Sequence, residues 1–503
     1  MTPPRIIYNE DNIMKTTLKK LIAALLLAAV AFSAFACGGG EKPSPAVTAD
    51  TAQALQAGDG ETTEPDSMPD NLPDMDFGGR QFRFLSYETV NCNGIHVVDE
   101  QNGEIVNDTT YEINRRIEER FNVDLAEILN GDLSLGGLVN SIMAGDDACE
   151  VDLPNTQSTF QFVQKNLVYN YDKLTYVDLD QPYWDKALNT AASINNKLYF
   201  AMGGFDLSHL DYTHLLVFSK NLVENYQLGD LYALVRDGKW TMDAMNDCMT
   251  KVTNLADFKK HVDGETYGLV SSSKQVLADF WEGCGLYSIS KDENDLPYLT
   301  LDSEKFANVI EKCFNILWDN QNWYYYNGDE NVVPNMPSLF ESDQALFGDT
   351  TFHYIKTLRT IEANFGIIPY PKWNEAQEAY YSRVEGGIRL PIVPVTVADT
   401  DFVSVIMEAI SCENQKHLIP AYFEVGLKGK ISRDNESEEM LNIVYDTRAY
   451  DMGDTIWLEQ IRDGRFNAMF KGNKRDLAST AAKIAKTMEK KFAETIEYFS
   501  EAN

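Results

Sequence analysis

The sequence predicts an α/β fold with at least two domains, in which helices cover parallel sheets. Strand-like and helix-like apolar patterns alternate between residues 81 and 153, and such alternation is typical of a parallel sheet with helices on its faces. The chain has 503 residues, and at about 100–200 residues per domain this length is enough for two or more domains.

The first elements follow from the spacing of apolar residues. Gln81 to Ser86 alternates polar and apolar side chains, as a half-buried strand does. Ile113, Ile117 and Phe121 recur at helical spacing, which predicts a helix over residues 110–121. The apolar segments that follow predict a strand, a helix and a strand at residues 123–129, 138–144 and 147–153.

The C-terminus is predicted to form an amphipathic helix docked on the body of the protein. Its apolar face comprises Ala481, Ile484, Ala485, Met488, Phe492, Ile496 and Phe499. The sequence has no internal repeat of the roughly 20–50 residues that would indicate a solenoid.

The charge balance excludes nucleic acid as a partner. The chain has 43 Lys and Arg against 77 Asp and Glu, a net charge of −34, whereas affinity for a phosphate backbone comes from basic side chains. The same balance disfavours adsorption to anionic lipid and, more mildly, anionic ligands. It predicts a soluble, self-repelling surface.

The N-terminus is predicted to carry an export signal. Lys15, Lys19 and Lys20 precede an apolar stretch from Leu21 to Phe35, which is the pattern of a signal peptide. The stretch is shorter than the about 20 apolar residues of a membrane-spanning helix. Met14 is predicted as the true start, so that residues 1–36 are an extension followed by the signal peptide.

The signal ends in a sequence that resembles a bacterial lipobox. Ala34, Phe35 and Ala36 precede Cys37 and three glycines, which predicts that Cys37 is lipidated and anchors the protein at the extracellular face of the cell membrane. Ordinary secretion with an unmodified Cys37 is the alternative. Residues 37–77 are rich in Gly, Pro, Ser, Thr and acids, a composition that predicts a disordered linker.

No motif indicates a metal, a cofactor or a catalytic centre. The sequence lacks a phosphate loop, G-x-S-x-G and H-E-x-x-H. His209 and His214, if on one helix, would not share a face, and the turn at residues 292–295 lacks the glutamate of a calcium loop. Because acids are abundant, a glycosidase carboxylate pair stays open. The six other cysteines, predicted to be mostly buried and with their pairing left open, are Cys92, Cys149, Cys248, Cys284, Cys313 and Cys412.

Five stretches carry a resemblance to a known family. They are Asp211 to Asn225 (DYTHLLVFSKNLVEN), Leu231 to Met245 (LYALVRDGKWTMDAM), Leu339 to Phe352 (LFESDQALFGDTTF), Phe365 to Tyr381 (FGIIPYPKWNEAQEAYY) and Asp446 to Gly453 (DTRAYDMG). In this order and spacing they resemble the extracellular solute-binding proteins of ABC importers. The resemblance is to the carbohydrate-type family 1, which includes maltose-binding protein, and within it to the lipoprotein branch of Gram-positive bacteria. It covers the chain from about residue 78 to the C-terminus.

The resemblance implies a type II periplasmic-binding-protein-like fold. In that fold two lobes, each a parallel or mixed sheet flanked by helices, are joined by a hinge that closes over an interlobe cleft. Lobe one is expected to comprise residues 78–210 and 385–425, and lobe two residues 211–384 and 426–503. The ligand is expected in the cleft, beyond the carboxyl ends of the strands.

A sugar site needs aromatic planes and hydrogen-bonding side chains. The resemblance places Phe352 where the family often has a stacking Trp, and Asp211 and Tyr212 where the first crossing strand borders the cleft. Glu385 and Arg389 flank the second crossing. Three polar residues follow the strand that ends at Leu153, namely Asn155, Gln157 and Ser158.

Other aromatic residues are candidates both for ligand contact and for the core. Trp240 precedes a predicted helix with Thr241 as its N-cap and is therefore also a candidate anchor for that helix. The further candidates are Trp281, Trp184, Trp323, Tyr324 and Tyr325.

The predicted function is capture without chemistry. The chain is expected to be a monomeric lipoprotein, without a cofactor, that binds a sugar or oligosaccharide by hinge closure and delivers it to an ABC permease. Two alternatives stay open: a surface glycan-binding or sensing lipoprotein without a transporter, and a surface glycosidase.

Overall fold

A computed structural model describes residues 68–87, 96–129, 136–256, 258, 264–272, 274–324, 336–423 and 434–501. The predictions for the signal peptide, for Cys37 and the linker up to residue 67, and for Cys92 and Tyr325 lie outside these residues. Across the described ranges, no helix is both long enough and apolar enough to pass through a bilayer.

The N-terminal elements form a parallel sheet, as predicted. Its strands are β1 (Arg80–Ser86), β2 (Val123–Leu129) and β3 (Val151–Asp152), and helices α1 (Ile105–Phe121) and α2 (Gly136–Ala144) connect them. The strand order is β2-β1-β3, and both pairs are parallel.

Strand β3 is shorter than the predicted strand at residues 147–153. Asp147 and Glu150 instead bind the guanidinium of Arg83 on β1, with Asp147 Oδ1 2.6 Å from Nη2 and Glu150 Oε2 2.9 Å from Nε. The acids before β3 therefore fix their segment to the sheet through side chains, and the ladder is limited to two residues.

The second sheet is mixed and lies in the middle of the chain. Its order is β5-β8-β4-β9, with β5 parallel to β8, and β4 antiparallel to both β8 and β9. Its strands are β4 (His214–Ser219), β5 (Tyr267–Val270), β8 (Ala345–Thr351) and β9 (Phe365–Ile368). Every residue of these four strands is buried, as expected when helices cover both faces of a sheet.

The remaining strands form two short pairs. They are β6 (Ile289–Lys291) with β7 (Pro297–Leu299), and β10 (Ser382–Arg383) with β11 (Arg448–Ala449). The β6–β7 hairpin contains the predicted turn at residues 292–295, where Asp292 Oδ1 accepts hydrogen bonds from the backbone of Asn294 and Leu296.

The remaining helices lie between and after these strands. They are α3 (Thr156–Gln164), α4 (Lys186–Ala192), α5 (Ser208–Asp211), α6 (Lys220–Asn225), α7 (Leu231–Arg236), α8 (Met242–Val252), α9 (Val276–Gly283), α10 (Glu304–Phe314), α11 (Met336–Glu341), α12 (Thr400–Glu413), α13 (Asn435–Asp446), α14 (Met452–Thr455), α15 (Asn467–Lys471) and α16 (Leu477–Glu501). Short 3-10 or π turns lie at Tyr171–Lys173, Asn315–Asp319, Tyr354–Thr360, Asn414–Leu418 and Arg462–Phe466.

Two apolar cores cover opposite faces of the sheets. Strand β4 shows the division, because Leu215 and Val217 belong to one core and Leu216 and Phe218 to the other. Since successive side chains of a strand point to opposite faces, each core is bounded by one face of β4.

The C-terminal prediction is confirmed by α16. Its residues Ile484, Met488 and Phe499 are buried. The ring of Phe499 lies 4.9 Å from that of Tyr199 and 5.9 Å from that of Phe160 on α3. The helix therefore ends against residues that the sequence assigned to lobe one.

Residues 68–77 differ from the disordered linker that the sequence predicts there. Met68, Leu72 and Met75 pack against the core of the first sheet. The ring of Phe77 lies 4.8 Å from that of Phe402 on α12. Four apolar side chains within ten residues are enough to bind this segment to the body.

Five cysteines are free and buried, which confirms the prediction that the cysteines are mostly core residues. They are Cys149, Cys248, Cys284, Cys313 and Cys412.

Candidate functional site

Residues 383–389, here called the crossing segment, connect the two sheets. Val384 pairs with Thr213, which precedes β4 of the second sheet. Arg389 pairs with Asn155, which follows β3 of the first sheet. The carboxyl end of β3 and the edge of the second sheet where β4 begins and its antiparallel neighbour β8 ends therefore meet at this segment. Ligands of open α/β sheets usually bind at the carboxyl ends of strands.

Arg383 fixes one end of the crossing segment to the elements around the second sheet. Its side chain is fully buried, and its Nε lies 2.6 Å from Asp454 Oδ2. Its Nη1 donates to Asp279 on α9 at 2.9 Å, and its Nη2 donates to Gln275 Oε1 at 2.7 Å. A buried charge needs such partners, because an unpaired one would be strongly destabilising.

Arg389 fixes the other end to the first sheet. Its Nη2 lies 2.6 Å from Asp206 Oδ2, and its backbone N–H donates to Ser208 Oγ at 2.8 Å. Asp206 in turn lies 3.0 Å from His96 Nε2, and the other imidazole nitrogen lies 3.3 Å from Glu127 on β2. The crossing segment is thus tied to each sheet by one arginine.

Two glycines lie between these arginines in tight packing. A Cβ on Gly386 would come within 2.9 Å of Thr455 Cα, and one on Gly387 within 2.5 Å of the Tyr212 ring. The segment can pass between these groups only because it has no side chain at these two positions.

Glu385 presents a carboxylate beside the glycines. Its side chain is 18% exposed, and its Oε2 lies 3.3 Å from His214 Nε2 and 3.8 Å from Arg383 Nη2. Burial alone would raise the pKa of Glu385, but the hydrogen bond to His214 and the charges of His214 and Arg383 lower that pKa to about 2. Glu385 is therefore an ionised hydrogen-bond acceptor at neutral pH.

His214 is the positively charged partner of Glu385. Burial alone would lower the pKa of His214, but the charges of Asp279 and Asp349 raise it to about 10, so that the imidazole is protonated at neutral pH. Its Nδ1 lies 3.0 Å from Asp349 Oδ1 and 3.3 Å from Asp279 Oδ1.

This histidine and the two aspartates are close enough to bind a metal ion, since their ligand atoms lie within 4.8 Å of one another. However, the imidazolium and Arg383 Nη1, which is 2.9 Å from Asp279 Oδ1, already provide positive charge there. We therefore assign no metal to this cluster.

Tyr354 is an aromatic residue near the end of β8. It follows β8, is half-buried, and begins a 3-10 turn. Burial, followed by the nearby charge of Glu385, raises the pKa of Tyr354. Thr351 at the end of β8 pairs with His214, and His214 contacts Glu385. Tyr354 and the ionised carboxylate therefore lie at the same edge of the second sheet.

Phe352 and Asp211 lie in the core rather than at an open surface. Phe352 is fully buried, with its ring 6.0 Å from that of Phe423. Asp211 is also fully buried, and its Oδ1 accepts a hydrogen bond of 2.6 Å from Tyr422. Neither side chain is exposed in this structure. That Phe352 or Asp211 contacts a ligand therefore stays a prediction.

Four other predicted residues do lie beside the crossing segment or β3. Tyr212 packs its ring on Gly387. Asn155 is half-buried and caps α3 by accepting a hydrogen bond from the backbone of Ser158 at 2.9 Å. Gln157 is half-buried on the first turn of α3.

The candidate tryptophans are core residues in this structure. Trp240 is fully buried and donates to the Pro369 carbonyl at 3.0 Å, while Thr241 caps α8 as predicted. Trp281 is fully buried and donates to Asp451 at 3.2 Å. The less favoured candidates Trp184, Trp323 and Tyr324 are also buried.

Sequence reasoning missed Tyr354, Gln275 and His214. Tyr354 lies two residues beyond Phe352, and the sequence alone does not show which of the two rings is buried. Gln275 and His214 acquire their roles from partners such as Arg383, which is more than 100 residues away, and no local pattern signals such contacts.

The likeness of this chain to known proteins lies in its fold. No protein-family model matches the chain, and no curated protein matches it. Solved structures, in contrast, match over most of its length.

Among the matching structures are proteins in complex with sugars or other small solutes. The galacto-N-biose/lacto-N-biose I-binding protein of a Bifidobacterium longum ABC transporter, in complex with lacto-N-biose, has a TM-score of 0.57 at 10% identity and covers 83% of this chain and 99% of its own. A Staphylococcus aureus extracellular solute-binding protein in complex with maltose has a TM-score of 0.56 at 14% identity, covering 82% and 98%. A Mycobacterium tuberculosis protein in complex with glycerophosphocholine has a TM-score of 0.52 at 12% identity, covering 84% and 98%.

At these identities the likeness establishes the fold. The chain has the type II periplasmic-binding-protein-like fold that the sequence predicts.

Proposed function

We propose that this chain, as a protein with the solute-binding-protein fold, is the solute-binding component of an ABC importer and captures a sugar or oligosaccharide. The ligand would bind beside the crossing segment, between the two sheets, and would leave chemically unchanged. The carbohydrate-type family and its Gram-positive lipoprotein branch are part of this proposal.

The observation that carries the proposal is that Tyr354 and Glu385 lie at the same edge of the second sheet. Sugars present C–H groups on their ring faces and hydroxyls at their edges, so they bind to an aromatic plane with a hydrogen-bond acceptor beside it. Tyr354 supplies a partly exposed ring and Glu385 an ionised carboxylate, at the edge of the second sheet where β8 ends.

The crossing segment supports capture by closure. Arg383 and Arg389 hold its two ends on different sheets, and Gly386 and Gly387 lie between them. Hinge residues of closing proteins are usually a few positions that absorb a change of backbone angles. A ligand that touches both sides stabilises the closed state by its greater affinity for that state.

Delivery and anchoring complete the proposed role. Lipidated Cys37 would hold the protein at the extracellular face of the membrane, and residues 38–67 would act as a tether. The closed monomer would then be recognised by the permease subunits.

A binding screen tests the central claim. Protein that begins at residue 38 is heated with mono- and oligosaccharides, and each hit is confirmed by calorimetry. We expect at least one saccharide to raise the melting temperature, because a ligand that binds only the folded state stabilises it. An absence of binding across neutral, acidic and amino saccharides would contradict the proposal.

Two further measurements separate the alternatives. Chromatography of the bound saccharide after long incubation should show it intact, whereas hydrolysis products would indicate a glycosidase. Loss of solute uptake on deletion of the gene from its source organism would indicate an importer, whereas unchanged uptake would indicate a surface sensor.

Lipidation is tested separately. Cells that express the full chain are labelled with radioactive palmitate, with Cys37→Ser as the control. Label on the wild type alone supports the anchor, and label on neither protein contradicts it.

A further inference from the structure

The surroundings of Glu385 bear on which solutes can bind beside it. Glu385 is confined at two points. Its Oε2 lies 3.3 Å from His214 Nε2, and its backbone N–H donates to the Tyr212 carbonyl at 3.3 Å. On either side of it, Arg383 and Arg389 fix the crossing segment to different sheets. A bound solute therefore cannot easily push this carboxylate aside.

Glu385 also keeps its charge. Burial opposes ionisation, but His214 and Arg383 lower the pKa of Glu385 to about 2. At neutral pH the Glu385 carboxylate therefore carries no proton, and it repels the negative charge of an acidic solute.

Cations near the crossing segment are already paired with carboxylates of the protein. These ion pairs are Arg389 with Asp206 (2.6 Å), Arg383 with Asp279 (2.9 Å), Arg462 with Asp454 (2.9 Å) and Lys356 with Asp211 (3.6 Å). Half-buried Lys274, which precedes Gln275, also has an interaction partner. An anionic ligand would have to break such a pair to gain a counter-charge.

We propose that Glu385 is a specificity-determining residue that makes the site select uncharged, hydroxyl-rich saccharides and reject sugar acids and sugar phosphates. This inference rests on the proposed function and names its substrate class. The carboxylate accepts hydrogen bonds from sugar hydroxyls, whereas a ligand carboxylate or phosphate at the same place meets a fixed like charge.

The test compares matched neutral and acidic probes on the protein from residue 38 onward. The probes are glucose with glucuronic acid, galactose with galacturonic acid, the corresponding disaccharides, and glucose 6-phosphate. We expect the acidic member of each bound pair to bind roughly tenfold more weakly or worse, since like charges in a partly buried site repel strongly. The difference in affinity between the neutral and the acidic member of each pair should become smaller at high salt, where charges are screened.

Glu385→Gln should reduce this discrimination. The variant removes the charge and keeps the shape, so the ratio of neutral to acidic affinity should fall by about tenfold. Glu489→Gln, on an exposed face of α16, removes the same charge elsewhere and should leave the ratio unchanged. The salt dependence of the wild type provides the test if Glu385→Gln does not fold.

The outcomes separate this proposal from the proposed function. If acidic sugars bind the wild type as well as or better than neutral ones, the site is still a sugar site and only the selectivity is wrong. An unchanged ratio in Glu385→Gln also overturns the assignment to Glu385. If no saccharide of either charge binds, the proposed function fails and this inference fails with it.

Discussion

Arg383 Nε and Asp454 Oδ2 lie 2.6 Å apart, and neither side chain has any surface exposed to solvent. One residue is on β10 at the start of the crossing segment and the other is on α14. Asp279 and Glu282 of α9 face the same guanidinium, at 2.9 and 3.6 Å. Arg383 therefore faces acids from two helices beside the candidate site, and Arg462 also binds Asp454, at 2.9 Å.

Arg383→Met is expected to destabilise the protein strongly. The substitution leaves Asp279, Glu282 and Asp454 buried with less counter-charge, and breaking a buried pair in this way costs about 3–5 kcal/mol. Urea unfolding followed by circular dichroism measures the change. Arg236→Met removes an arginine that is 36% exposed and should cost about 1 kcal/mol or less. Equal losses in the two variants would contradict the buried network.

Tyr354→Ala is expected to weaken saccharide binding without unfolding the protein. Loss of a ring that contacts a sugar face should reduce the affinity by roughly tenfold, equivalent to about 1.4 kcal/mol. Calorimetry with a saccharide from the screen measures this effect. The control is Tyr298→Ala, since Tyr298 is an exposed ring on β7. Unchanged affinity in Tyr354→Ala would remove the ring from the site.

Trp240→Ala is expected to lower stability but leave the affinity of the folded protein unchanged. Trp240 is fully buried, and its indole donates to the Pro369 carbonyl. Replacing a buried tryptophan by alanine costs about 3–5 kcal/mol. Urea unfolding and calorimetry on the same sample separate the two effects. A large loss of affinity at full stability would restore the ligand role that the sequence suggested as one option.

The buried carboxyl group of Asp152 should make the free energy of unfolding depend on pH. This residue is fully buried on β3, and burial raises its pKa to about 8, whereas the pKa in the unfolded chain is near 4. Between these values the unfolded chain releases a proton that the folded protein keeps, so this group makes the wild type less stable as pH rises from about 4 to 8.

Asp152→Asn should remove that contribution. The stability of the variant relative to the wild type should increase with pH by at most about 1.4 kcal/mol per unit. Urea unfolding at several pH values in this window measures the difference. Asp302→Asn, at an exposed position, is the control. A difference that stays flat with pH would show that Asp152 is ionised in the folded state.

Local patterns were sufficient to predict much of the fold. The alternation in β1 and the helical spacing of Ile113, Ile117 and Phe121 identified the first sheet and helix. The spacing of Ile484, Met488 and Phe499 identified the C-terminal helix. These predictions succeeded because burial on one face leaves a period in the sequence.

The site was predicted less completely because its residues depend on distant partners. Glu385 and Arg389 were identified as candidates by their position at the second crossing. In contrast, Phe352 and Tyr354 are both aromatic and two residues apart, and only the end of β8 at Thr351 separates the buried ring from the half-buried one. Asp279, Asp349 and Asp454 are unremarkable acids until Arg383 and His214 are placed among them.

The contact of Phe499 with Phe160 and Tyr199 has a consequence for how the chain matures. Phe499 is made at least 300 residues after Phe160 and Tyr199. The side of Phe160 that α16 covers therefore stays open for most of synthesis. During that interval it is a surface to which chaperones can bind, and a premature stop within α16 would leave it permanently open.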